Sequence, residues 1–148
     1  MVSSPATDKF TRLSCLAKLA SVLDLLPAVR AFDLKKSNST CSISTYDLLL
    51  DRATVYGDLA AAQRMVGDIH SSAHMYDRAT VLLEALAKRM AVESQATDDI
   101  ENIRTCVTST LQRVLEEWIS VEQSLGRNNK GEKLKQRGAK WQASSGVN

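Results

Sequence analysis

The side chains that could do chemistry are few. His70 and His74 stand four apart, with Asp68 and Asp77 close by. On a helix that spacing puts both imidazoles on one face, an arrangement able to hold a metal ion. No glutamate lies between the two histidines, and no third ligand stands at a fixed spacing. Two surface histidines is therefore the preferred reading. The pairs Asp98/Asp99 and Glu116/Glu117 read as helix caps and solubilising charges rather than general acids. Tyr46, Tyr56 and Tyr76 fall on inward faces, with hydroxyls expected at the rim of the core. Cys15, Cys41 and Cys106 are odd in number and lack paired spacing, so they give neither a disulfide framework nor a zinc motif. Cys15 and Cys106 lie beside apolar stripes and are expected to act as small core residues. No glycine-rich phosphate loop or Ser/His/Asp order occurs. The expectation is a chain with no enzyme activity, no metal and no cofactor.

A second chemical feature is charge. Between Arg127 and Asn148 six basic residues face one acid, Glu132, which leaves +5 in the tail. With an overall charge of +2, the preceding body carries −3. Such a tail is able to touch nucleic acid or anionic membrane, with Trp141 beside Lys140 as an interfacial anchor. A solvated, disordered or frayed tail over 127–148 is the preferred expectation.

The elements that position these groups are helical. The chain has 148 residues, 44% hydrophobic and 24% charged, enough for one domain with a core. Only two prolines and six glycines are available for turns, which argues against a sheet. Ser4-Pro5 starts a first helix carrying Phe10, Leu13, Leu16, Leu19, Leu23 and Leu26. Pro27 kinks or ends it, with a last irregular turn to about Phe32. Residues 35–44 read as a polar loop. A second helix, capped by Ser44 or Thr45, carries Tyr46, Leu49, Ala53, Tyr56 and Ala60. Gly57 and the alanines at 60–62 predict close helix crossings there. A third helix follows Gly67, with Asp68 as its N-cap and a core face of Ala73, Tyr76, Ala79, Leu83 and Leu86. Its two apolar edges make it the centre of the bundle. Residues 91–97 break the pattern, and Asp98 with Glu101 predicts a capping box. The fourth helix carries Ile100, Ile103, Val107, Leu111, Val114, Trp118, Val121 and Leu125, and Gly126 ends it. The run 13–31 is broken by Lys18, Asp24, Pro27 and Arg30 and is no membrane span, and the first residues lack a signal-peptide pattern. A reducing, cytoplasmic setting is expected.

The second, third and fourth helices together resemble a microtubule-interacting-and-trafficking (MIT) domain over roughly residues 45–120. The likeness is closest to the C-terminal tandem MIT region of the Unc-like autophagy-initiating protein kinases. It rests on Ala60-Ala61, then on Tyr76, Ala79, Leu82, Leu83, Glu84 and Leu86. Asp99-Ile100-Glu101-Asn102, followed by Cys106 and Leu111, completes it. The resemblance implies an all-α antiparallel bundle: an MIT-like three-helix core over 45–126, with an extra N-terminal helix within 1–34. That extra helix is either a remnant of a preceding MIT unit or an unrelated addition. This chain holds no kinase domain, so no kinase activity carries over. The family implies a protein-interaction module that takes amphipathic helices in its grooves. The partner would be the HORMA-domain scaffold subunit of the autophagy-initiation complex, with recruitment to autophagosome-precursor membranes. The alternatives are an adaptor for ESCRT filament tails at endosomal membranes and a basic-tail tether.

Spare apolar positions predict where a partner would dock. Met75, Leu82 and Ala85 on the third helix and Leu115 and Ile119 on the fourth would line a groove, flanked by Arg78 and Arg113. Met75 suits a surface that adapts to varied side chains. The flanking arginines would orient an acidic partner helix and raise its on-rate. The competing expectation is that Met75, Leu82 and Leu115 pack against the first helix.

Overall fold

A computed structural model describes residues 5–25, 43–91 and 97–144. It contains α1 (Pro5–Leu25), α2 (Ile43–Met65), α3 (Ile69–Ala91), α4 (Asp98–Ser124) and α5 (Asn128–Ser144). The described residues include no strand, and the molecule is an all-α helical bundle. The Ser4 cap, the Pro27 kink with its last turn, Cys41, and most of the loop at 35–44 and the break at 91–97 lie outside the described residues.

α3 is the central helix. It packs against α2 on one side and α4 on the other, while α2 and α4 also meet. Tyr76, Ala79, Leu83, Leu86 and Met90 are fully enclosed along its core face. Ser72 Oγ donates to the Ala60 carbonyl at 2.7 Å, so small residues let α2 and α3 approach closely. Gly57 serves the crossing with α4: a Cβ there would meet Val114 Cγ2 at 3.3 Å.

The ends of the helices follow from local hydrogen bonding. α2 closes on Gly67 at φ 88°, and α4 closes on Gly126 at φ 77°. In each case the next amide reaches back five residues, Asp68 to Gln63 at 2.9 Å and Arg127 to Glu122 at 2.9 Å. This is the glycine-terminated cap that satisfies orphan carbonyls. Asp68 Oδ1 accepts from the Ser71 amide at 3.3 Å at the start of α3. At α4 the cap is Thr97 rather than Asp98. Thr97 Oγ1 accepts from the Ile100 amide at 3.3 Å. Glu101 instead pairs with Arg104, whose other nitrogen donates to the Met90 carbonyl at 2.8 Å and closes the end of α3.

Two expectations need correction. Cys15 and Cys106 are exposed rather than in the core. Residues 128–144, expected to be disordered or frayed, form a further helix, α5, packed on α4. α1 packs on α2 through Ala20 and Leu23, leaving Phe10, Leu19, Val22 and Leu25 exposed. Among the described residues no helix is long and apolar enough to cross a membrane.

Candidate functional site

The seven residues expected to form one groove fall into two groups. Met75, Leu82 and Leu115 are core residues at 7%, 6% and 2% exposure. Arg78 turns towards α2 and α1, where its Nη2 donates to Tyr56 Oη at 3.0 Å and lies 3.8 Å from Asp24 Oδ2. Arg113 faces α2 as well, 4.0 Å from Asp58 Oδ1. Ala85 is half-buried. Leu115 and Ile119 lie elsewhere, on the edge of α4 that α5 covers. Leu115 is thus buried beneath the C-terminal helix, not beneath α1.

The α1 side holds a polar latch. Tyr56 Oη donates to Asp24, and Arg52 Nε lies 2.8 Å from both Asp24 Oδ1 and Tyr56 Oη. The Arg78 guanidinium stacks over the Tyr56 ring at 4.5 Å. Burial pushes the Asp24 carboxyl up, but the Tyr56 hydroxyl and the two arginines outweigh it and hold it below its ordinary value. Burial, with the Asp24 carboxylate next, pushes the Tyr56 hydroxyl up. Deeper in, burial and then the Glu117 charge push the Tyr76 hydroxyl strongly upwards. The three tyrosines are core residues, as their spacing implied.

The α5 side is where the bundle binds a helix. Glu84 of α3 accepts from Arg137 Nε at 2.8 Å, from Arg137 Nη2, and from the Trp141 indole N–H at 2.8 Å. Burial raises the Glu84 carboxyl, but these donors and Lys88 outweigh it and bring it below its ordinary value. Arg137 is raised by the same carboxylate. At the other end of α5, Glu122 is fully buried and accepts from the Trp118 indole at 3.1 Å. Arg127 and Lys130 reach Glu122 at 3.4 and 3.5 Å. Arg127, Lys130 and Arg137 thus engage two acids of the body. Here the opposite charges of body and tail meet within one chain.

The apolar part of this contact is thin. Among the described side chains of α5, Leu134 is the apolar one that is enclosed, and Trp141 is half-buried. Gly131 and Gly138 face α4, near Gln123 and Leu115. A cleft of about 170 Å³ remains among Leu115, Ile119, Leu134 and Gly138. Two glycines in a 17-residue helix each cost about 1 kcal/mol relative to alanine. α5 therefore depends on its docking for its structure.

His70 and His74 are both exposed on α3. Among the described residues no group of three or more His, Cys, Asp and Glu side chains is placed to hold a metal ion. Spacing missed Glu84, Glu122 and Arg137 as a set. The available signal was thin: Leu134 and Trp141, two helical turns apart in the basic tail. Compared with known protein families, curated proteins and solved structures, the chain matches none of them.

Proposed function

We propose that this chain is a non-catalytic interaction module that takes up a partner's amphipathic helix on the face formed by α3 and α4. The supporting observation is that this face already holds such a helix, α5, through Leu115, Ile119 and the Glu84 carboxylate. Helix-in-groove recognition uses the same parts: an apolar seam with a few placed charges. Glu84 lies within the segment that resembles the MIT family, which agrees with a binding role for that edge. By that resemblance, the first partner to test is the HORMA-domain scaffold subunit of the autophagy-initiation complex, and ESCRT filament tails are the alternative. The basic-tail tether is less favoured, because Arg127, Lys130 and Arg137 meet acids of the same chain.

The test is titration calorimetry of the full chain against each purified partner, repeated with Glu84→Lys. Saturable binding by one partner that Glu84→Lys weakens at least tenfold supports the reading. Binding by neither partner overturns that assignment, and binding indifferent to Glu84 moves the site elsewhere.

A further inference from the structure

We infer that α5 is a displaceable cover, and that the α3/α4 face beneath it is the docking surface for a basic partner helix of the same chemistry. This rests on the interaction-module reading and adds the class of ligand and its regulation. The ligand class is read from the occupant. α5 presents Leu134 to the seam, Arg137 to Glu84 three residues on, and the Trp141 indole N–H to the same carboxylate four residues further. A competing helix needs an apolar residue, an arginine and an indole or comparable donor at that spacing, with net positive charge to suit Glu84 and Glu122.

Displaceability follows from how α5 is held. Its anchors lie at its two ends, at Glu122 and Glu84, and both involve charges near solvent: Arg127, Lys130 and Arg137 retain 44%, 46% and 32% side-chain exposure. Between them lie one enclosed leucine, two glycines and an unfilled cleft. α5 is the last of the described helices; it joins α4 through the short turn at Gly126 and reaches α3 through Arg137 and Trp141 at Glu84, so its release leaves the contacts among α1, α2, α3 and α4 in place. The buried core is one cluster drawn mostly from α2, α3 and α4, to which α5 adds Leu134. A covered surface of this kind lowers apparent partner affinity by the fraction of time it is closed.

The probe is a fluorescein-labelled synthetic peptide with the sequence of residues 127–144. It is titrated into the full-length chain, monitored by anisotropy, as wild type and as the double variant Leu134→Asp with Trp141→Ala. Both changes lie on α5 and leave the α3/α4 face intact. Hydrogen exchange over 128–144 reports release of α5, and circular dichroism reports the bundle. The expected result is a bundle that stays folded, fast exchange in 128–144, and peptide binding at least tenfold tighter than wild type. Adding Glu84→Gln to the double variant should remove most of that gain. Arg137→Ala alone, which loosens one anchor and keeps Leu134, should give an intermediate gain.

Peptide affinity unchanged in both the double variant and Arg137→Ala overturns the inference. Loss of the bundle when α5 detaches also overturns it, because α5 is then a structural fifth helix. A partner protein that binds the wild-type chain while the peptide fails to bind the opened chain would sink the cover alone and leave the interaction module standing. Peptide exchange without binding of either partner protein would sink the partner assignment instead.

Discussion

Glu84 and Trp141 are 57 residues apart in sequence, yet the indole N–H of Trp141 donates to the Glu84 carboxylate at 2.8 Å. This bond joins the central helix to the last one. Arg137 shares the same carboxylate, so one acid orients both the cation and the aromatic group of α5. Closure of α5 is therefore tied to the ionisation of Glu84.

The pH dependence follows. Glu84 has a folded pKa below its ordinary value of 4.5. A depressed carboxylate contributes stability that is fully present above the unfolded pKa and lost as pH falls through the folded one. Docking of α5 should thus be intact at neutral pH and weaken as pH drops below 4.5. Hydrogen exchange over 128–144, measured across that range, should speed up in the wild type. Glu84→Gln should loosen α5 at neutral pH and flatten the dependence. An unchanged profile in that variant would place the titrating group elsewhere.

Salt should act in the same direction. Both anchors of α5 are ion pairs with partly exposed cations, and at ~1 M salt the Debye length shrinks to ~3 Å. Raising salt should expose Trp141 and red-shift its emission. Trp118, at 3% exposure, should contribute little to that change. Emission from a Trp141→Phe variant provides the comparison. A red shift that persists in it would assign the change to Trp118 and to the core.

The helices that were legible in the sequence owe this to apolar side chains at helical spacing. Tyr76, Ala79, Leu83 and Leu86 on α3, and Val107, Leu111, Val114 and Trp118 on α4, are inside as their period required. α5 escaped because its seam positions are Gly131, Leu134, Gly138 and Trp141, and glycine contributes no hydrophobic signal. Its docking runs through charges, which have no periodic signature. Met75, Arg78, Leu82, Ala85, Arg113, Leu115 and Ile119 do not all share one edge of the bundle, for a geometric reason. Spacing tells which residues share an edge of one helix, but not which neighbour that edge meets. Met75 and Leu82 lie on the edge with Arg78, which meets α1 and α2, whereas Leu115 and Ile119 meet α5. Thr97 took the capping role from Asp98 because either side chain suits that position.

The core should tolerate little truncation. Leu83 is fully buried at the centre of α3, so Leu83→Ala should cost about 2–5 kcal/mol through transfer and cavity terms. Urea unfolding of the full chain measures this. Leu82→Asp with Leu115→Asp should unfold the bundle, since both side chains are enclosed. A folded double variant would mean that these residues are not packed as described.

The α1 latch should be separable from α5. Tyr56→Phe removes the hydroxyl that donates to Asp24 and accepts from Arg52 and Arg78. Loss of those bonds should cost about 1–3 kcal/mol. It should speed hydrogen exchange in α1 first and leave α5 unchanged. Equal loosening of α1 and α5 would show that the two ends of the bundle are coupled.

Gly138 gives the opposite kind of test, a substitution that should stabilise. A Cβ at Gly138 would lie 3.5 Å from Leu115 Cδ1, which is ordinary van der Waals contact. Alanine therefore enters without displacing a neighbour and fills part of the cleft beside Ile119 and Leu134. It also removes the glycine cost in a helix, about 1 kcal/mol. Gly138→Ala should slow hydrogen exchange over 128–144 about fivefold, the factor that ~1 kcal/mol gives. It should also weaken binding of the labelled 127–144 peptide by a similar factor, since a tighter cover leaves the face open less of the time. Slower exchange with unchanged peptide binding would separate the stability of α5 from access to the face, and would show that the peptide binds somewhere α5 does not cover.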